Sequence, residues 1–284
     1  MQIEKLKKIK DKEQKVSVVM PAYNASDYIK EAIDSVLNQT YSNFELIIID
    51  DASTDNTWEI IKSYDDKRIR AYKNEENLKI VKTRNKGFDL VSNNSKYIAI
   101  MDSDDICMPK RLKKEVNFLE KNKEYGLVGS HLIIINENSK KIGKRKYFTN
   151  YEDIKKNILV KNPIAQPSVM IRKKVIDEVS GYTSEGYDRS RDYDLWIRIF
   201  DKYKIINIDD YLLKYRVFSE QGKSTHLKET LKSTIQIQKK WLFKKKYFNF
   251  KAFLNLILEY ILLLFPKKLI LWLFKKKEYD DLWK

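Results

Sequence analysis

The chain has 284 residues, 43% of them hydrophobic and 34% charged, a balance that suits one α/β catalytic domain with an appendage and excludes general disorder or two large enzymes. Its 56 Lys and Arg against 40 Asp and Glu leave a net charge of +16, which implies an anionic partner: nucleic acid, a phosphate-bearing ligand or an acidic membrane surface. The single cysteine, Cys107, excludes a disulfide framework and a Cys-rich zinc site, and accords with a reducing cytoplasm.

Residues 1–14 form a basic tail containing Lys5, Lys7, Lys8 and Lys10, without the apolar run and cleavage site of a secretory signal, so a cytoplasmic location is expected. Residues 16–20, an apolar run ending at Pro21, predict a strand buried on both faces of a parallel sheet. Ser26 is the expected cap of a helix that turns Ile29, Ala32, Ile33, Val36 and Leu37 inward. Residues 44–49 give a second strand closed by Asp50 and Asp51, and a helix follows through Trp58, Ile60 and Ile61. A strand at 69–72, a helix at 78–91 and a strand at 97–101 come next, the last running into Asp102, Ser103, Asp104 and Asp105. Leu112, Val116 and Leu119 form the inner face of another helix. This alternation predicts a mostly parallel, doubly wound sheet flanked by helices, with ligands at the carboxyl ends of its strands. Beyond residue 125 the pattern loosens into strands at 127–135 and 168–171, a helix at 192–200, and closing strands at 205–208 and 212–217.

The polar clusters fall at those strand ends. Asp102 and Asp104 offer the hard oxygen ligands that Mg²⁺ or Mn²⁺ takes while also binding substrate phosphates; an acidic loop capping the next helix is the plainer reading. Asp50 and Asp51 can accept hydrogen bonds from a base or ribose. Pro21, Ala22, Tyr23 and Asn24 could hold a nucleobase or form an ordinary turn, and Arg84 could meet a phosphate or simply be solvated.

Four segments in this order, VSVVMPAYN, ELIIIDDASTDNT, KTRNKGF and KYIAIMDSDD, resemble the family-two glycosyltransferases across roughly residues 15–217. The resemblance implies the GT-A fold, a donor-binding half at 15–125, an acceptor-binding catalytic half at 126–217, and inversion at the anomeric carbon. It implies that Pro21, Tyr23, Asn24 and Asp51 line a nucleoside pocket with Asp50 in support, that Arg84 and Arg216 approach the donor phosphates, and that Asp104 with Asp102 holds Mn²⁺ or Mg²⁺. In the stretch Arg191-Asp192-Tyr193-Asp194-Leu195-Trp196-Ile197-Arg198 it makes Asp192 the general base, since direct displacement needs a carboxylate to take the acceptor's proton. The donor it implies is a nucleoside-diphosphate sugar, UDP first.

Departures from the family pattern are Lys79 where glycine is common, Arg191 where an acid is common, and Phe218 where histidine is common. The Gln-x-x-Arg-Trp signature of processive synthases is missing, so one transfer per encounter is expected. Tyr182 and Tyr187, and more weakly His131, are candidate acceptor contacts; a structural histidine is the commoner case. Cys107 is expected to be buried and unreactive.

Residues 218–284 are expected to form a lid, around Gln221–Ser224, and basic amphipathic helices. The apolar run 252–265 would cover roughly 21 Å as a helix, short of the ~30 Å hydrocarbon core. Bracketed by lysines, it fits a helix lying on the inner face of the cytoplasmic membrane, near a glycan or lipid-linked acceptor. The rivals are a sugar-phosphate nucleotidyltransferase, which would need a Gly-rich, Arg-bearing loop after the first strand, and a non-enzymatic basic binder, which leaves the strand-end acids unexplained. Nucleic acid is not the expected partner.

Overall fold

The computed structural model describes residues 14–183, 186–187, 189–218, 226–244, 246–267 and 269–270, and the statements below concern these. In chain order, β1 (Lys15–Ala22), α1 (Ile29–Leu37), β2 (Phe44–Asp50), α2 (Thr57–Lys62), β3 (Ile69–Lys73), α3 (Lys79–Asp89) and β4 (Ser95–Ile100) make the first half. The second half follows as β5 (Ile106–Cys107), α4 (Arg111–Lys121), β6 (Tyr125–Ile135), β7 (Lys141–Arg145), α5 (Tyr151–Asn157), a 3-10 turn (Gln166–Ser168), β8 (Met170–Arg172), α6 (Lys173–Val179), α7 (Arg191–Lys202) and β9 (Lys204–Arg216). Two helices, α8 (Leu227–Leu242) and α9 (Phe250–Leu263), complete it.

The strands join one sheet in the order β3-β2-β1-β4-β8-β6-β9-β5, with β7 on β6. β1, β2, β3 and β4 pair in parallel, whereas β8 runs antiparallel to both β4 and β6, so the second half is mixed. Alternate strand residues feed two cores. Val19, Ile47, Ile49, Ile98 and Ile100 face α3, α6 and α7, while Val18, Met20, Leu46, Ile48 and Ala99 face α1 and α4. Burial on both faces is why these strands read as continuous apolar runs. Gly87 lets α3 lie close on the sheet: a Cβ there would stand 2.4 Å from Val19 Cγ1.

Several expectations change in detail. Ser26 does not cap α1; Tyr28 holds that position without a side-chain hydrogen bond, and the Ser26 amide donates to Asp55. The two expected closing strands are one strand, β9, whose pairing with β6 shifts register around His131. β7, α5 and α6 carry no strong periodicity and were not expected; α5 is opened instead by Asn150, whose side chain accepts from the Glu152 amide. Residues 1–13, the proposed lid at 221–224 and residues 271–284 lie outside the described residues.

Candidate active site

β1 is where the sheet changes direction of growth: β2 and β3 are added on one side and β4 on the other. At such a switch point the strand-end loops part and leave a crevice. Here the crevice is a cavity of about 550 Å³ that brings Pro21, Tyr23, Asn24, Asp51, Arg84, Asp102 and Asp104 together.

Each side chain is set by its local structure. Asn24 adopts a left-handed backbone (φ 47°), and its Oδ1 accepts from the Thr54 amide at 2.9 Å, tying the β1 loop to the β2 loop. Tyr23 is 49% exposed, leaving an aromatic face free to stack. Asp51 Oδ1 accepts from Asn74 Nδ2 at 2.7 Å and from the Leu78 amide at 2.9 Å, so the carboxylate is fixed with Oδ2 available to a ligand. Asp50 is wholly buried and does not line the cavity; its Oδ2 accepts from the Ser53 amide at 3.3 Å, which gives it a role in shaping the loop rather than touching a nucleoside.

Lys79, in the place where glycine is common, keeps the left-handed conformation that glycine tolerates best (φ 69°) and lines the cavity with Ile80 and Thr83. Phe218, in the place where histidine is common, also lines it, its ring 5.4 Å from that of Tyr28. Ile80 and Thr83 had no sequence signal beyond their neighbourhood.

The acidic loop after β4 carries the strongest electrostatics. Asp102 Oδ1 accepts from Arg84 Nη2 at 2.5 Å. Burial, and then the charge of Asp102, push the Asp104 carboxyl up to about 6 despite opposing contributions from its own amide, Arg216 and Arg84. Burial and the neighbouring Asp104 and Asp102 charges also push Asp105 well above the usual carboxylate range. The crowding of these carboxyls disfavours their ionisation in the absence of a cation, and their hard oxygens suit a divalent one. No group of three or more His, Cys, Asp or Glu able to hold a metal occurs among the described residues, so a cation here would depend on ligand phosphate oxygens.

Arg216 is corrected by its surroundings. Its Nε donates to the Asp104 carbonyl at 2.8 Å, Nη1 to the Asn136 and Glu137 carbonyls, and Nη2 to Glu31 Oε2 at 2.7 Å, while its amide donates to Asp105 Oδ1. It clamps the acidic loop from behind and does not line the cavity. Arg111, a residue the sequence reading missed, supports the same loop from below: fully buried, it donates to Glu115, to the carbonyl of Ile100 at the end of β4 and to that of Val169 just before β8. Cys107 is packed beside it at 3.3 Å, and burial raises its thiol pKa, which suits an unreactive role.

Asp192 stands in the first turn of α7, where Asn162 Nδ2 donates to its Oδ2 at 2.8 Å. Burial raises its carboxyl pKa; the Tyr193 amide, Asn162 and the charge of Arg84 oppose that rise. The Arg84 guanidinium therefore lies within electrostatic reach of both Asp102 and Asp192, linking the acidic loop to α7. Asp194, by contrast, is spent on Arg198 at 2.7 Å and Lys240 at 3.4 Å.

Two acceptor candidates are corrected. Tyr182 is 3% exposed, stacked on Phe88 at 5.7 Å and hydrogen-bonded to Gln166 at 2.5 Å, so it forms buried floor rather than an open sugar platform. His131 is buried with Nδ1 accepting from the Tyr147 amide and Nε2 3.0 Å from Asp209, which makes it part of the β6–β9 register shift. Tyr187 is half-buried, its ring 5.8 Å from Lys240 Nζ. Asn162 and Gln166, which flank Asp192 and Tyr182, were missed. Their signal was two amides in an otherwise apolar, Pro-bearing segment.

Comparison with known proteins places this geometry in context. The sequence profile of the family described as Glycosyl transferase family 2 matches residues 17–180. An uncharacterised glycosyltransferase of Methanocaldococcus jannaschii is 36% identical over 269 residues, covering 90% of this chain and 91% of that protein. The O-antigen biosynthesis glycosyltransferase WbnJ of Escherichia coli is 36% identical, covering 75% of this chain and 83% of its own. WfgD of Escherichia coli, a UDP-Glc:alpha-D-GlcNAc-diphosphoundecaprenol beta-1,3-glucosyltransferase, is 33% identical, with 75% of this chain and 81% of that one covered. Among solved structures, Staphylococcus aureus TarS superposes with a TM-score of 0.60 at 19% identity, over 82% of this chain but 40% of that longer one. The mannosyltransferase PcManGT of Pyrobaculum calidifontis, in complex with GDP-Man and Mn2+, superposes with a TM-score of 0.63 at 16% identity, over 89% and 70%. The fold is GT-A: a curled, mostly parallel sheet with flanking helices.

Proposed function

Because the chain belongs to glycosyl transferase family 2, we propose that it moves a sugar from a nucleoside-diphosphate sugar, UDP-linked first, onto a glycan or lipid-linked acceptor by one inverting displacement. The observation that carries the reading is the cavity at the switch point, where an exposed aromatic ring, a fixed carboxylate and an Arg–Asp–Asp cluster converge. Those are the groups a nucleoside, a ribose and a diphosphate require. The nucleotidyltransferase and non-enzymatic readings are set aside by the family.

In this reading Tyr23 and Pro21 flank the base, Asp51 Oδ2 accepts from a base or ribose, and Arg84 meets the diphosphate. Asp102 and Asp104 would hold Mn²⁺ or Mg²⁺, which when bound neutralises charge on the departing diphosphate. Asp192 takes the proton from the attacking acceptor hydroxyl, and its raised pKa makes it the stronger base for that step. WbnJ and WfgD, the latter with UDP-Glc and a diphosphoundecaprenol-linked acceptor in its name, support a role in surface-polysaccharide assembly; the reading places that role at the inner face of the cytoplasmic membrane. Thermal melts with UDP-, GDP- and dTDP-sugars, each with Mn²⁺ and with EDTA, test the donor assignment. One nucleotide class should raise the midpoint in a metal-dependent way, and indifference to all three would refute it.

A further inference from the structure

Helix α9 carries apolar residues on its solvent side as well as on its buried side. Two of its polar residues turn inward: Asn255 Nδ2 donates to the Val160 carbonyl at 3.3 Å and to Glu259 Oε1 at 2.8 Å, which also receives Gln238 Nε2 at 3.2 Å. Ala252 and Leu256 are buried against the protein, but a second set of apolar residues turns outward. Phe250, Leu254, Ile257, Leu258, Ile261 and Leu264, the last just past the helix end, are 42–83% exposed, at the spacing of one helical stripe. Phe243 and Phe248, between α8 and α9, are exposed as well. Contiguous exposed apolar residues of this kind mark an interaction surface.

Charge identifies the occupant. Lys244, Lys246, Lys251 and Lys267 are exposed along this segment, and Glu259, the sole acid between residues 243 and 267, faces the protein. A second copy meeting this face about a two-fold axis would set lysines against lysines. An anionic surface would satisfy both the stripe and its cationic rim. At 14 residues α9 is too short to span a bilayer, and no helix among the described residues is long and apolar enough to do so. At a bilayer the stripe would lie in the plane of the interface.

The same segment is fastened to the helix that carries Asp192. Lys240 on α8 lies 3.4 Å from Asp194, and Lys246 Nζ and Tyr247 Oη reach Asp201 Oδ1 at 3.3 and 2.9 Å, all on α7. We propose that the outward stripe of α9 and its lysine rim form a docking surface for an anionic lipid bilayer, held to α7 through α8 so that the acceptor side is presented to the membrane. What the docking serves rests on the transferase reading; the surface itself does not.

The test is flotation of the full chain with phosphatidylcholine vesicles, with and without phosphatidylglycerol, alongside calorimetric nucleotide binding and far-UV circular dichroism on the same samples. The protein should float with phosphatidylglycerol vesicles and release at high salt. Leu258→Asp with Ile261→Asp should abolish flotation with nucleotide binding intact. Lys244→Gln with Lys251→Gln should weaken it by about 30-fold, at roughly fivefold for each lysine near the surface. Absence of flotation in the native chain, or unchanged flotation in both variants, overturns the proposal. So does a change of the Leu258 and Ile261 variant from dimer to monomer, on size exclusion with light scattering, without loss of flotation. Flotation without any nucleotide binding would instead overturn the transferase reading and leave the docking surface standing.

Discussion

Replacing Asp192 with Asn separates chemistry from binding. The two side chains are nearly isosteric, and Asn162 Nδ2, now 2.8 Å from Asp192 Oδ2, would still find an oxygen acceptor, so the fold should lose no more than the charge-assisted part of one hydrogen bond. Arg84 keeps its 2.5 Å pairing with Asp102, so the donor pocket should be little altered. What disappears is the proton acceptor. General-base catalysis contributes on the order of 10²–10⁴ in rate, or about 3–5 kcal/mol of barrier. Asp192→Asn should therefore lower kcat for nucleoside diphosphate release by about that factor and leave the donor Kd within about threefold. A pH series sharpens this. Burial raises the Asp192 pKa while the Tyr193 amide, Asn162 and Arg84 restrain the rise, so activity should fall as pH drops through that raised value. Asn162→Ala removes one of the restraints and should move the acid limb to higher pH. Unchanged turnover in Asp192→Asn, or an acid limb that ignores Asn162→Ala, would remove Asp192 from the role.

Three further outcomes follow from the scaffold. Gly87→Ala forces a Cβ to within 2.4 Å of Val19 Cγ1 and 3.1 Å of Ile49 Cδ1, so urea unfolding should show about 1–3 kcal/mol of destabilisation. Equal stability would mean that α3 moves freely over the sheet. Lys79→Gly should be more stable than Lys79→Ala by about 1–2 kcal/mol, because both remove the charge but only glycine relieves the backbone at φ 69°; the reverse order would deny the strain. Burial pushes the Glu45 carboxyl up, but hydrogen bonds from Ser17, Ser92 and Arg70 outweigh it and hold the group at about 2, below its ordinary 4.5. That depressed value contributes stability that is present above pH 4.5 and lost as pH falls toward about 2. Glu45→Gln should flatten this acid dependence in denaturant melts, and an identical profile in the variant would contradict the assignment.

The donor half was legible because its strands are buried on both faces and end in polar clusters. Runs such as residues 44–49 can be little else, and Asp51, Arg84, Asp102 and Asp104 then fall on one rim by topology. The second half was less readable. Its strand β7 has five residues and α5 and α6 seven each, too short for periodicity to register. A register shift made β9 look like two strands. Side-chain roles blurred for a different reason: Arg216 and Tyr182 are residue types that could serve a ligand, and only packing reveals that each is committed to the protein. Likewise the outward stripe of α9 appears in sequence as an apolar run with two polar interruptions, and which side faces water depends on where Asn255 and Glu259 find partners.

The central claim is that the cavity at the carboxyl ends of β1, β2 and β4 holds a nucleoside diphosphate through a metal-assisted acidic loop. Calorimetric titration of UDP with Mn²⁺ into the native chain and into Asp104→Ala tests it most directly, with GDP and dTDP run in parallel. Binding of one nucleotide that needs Mn²⁺ in the native chain and is lost in Asp104→Ala is the result this account predicts. Equal affinity in both proteins, or affinity indifferent to EDTA, would contradict it.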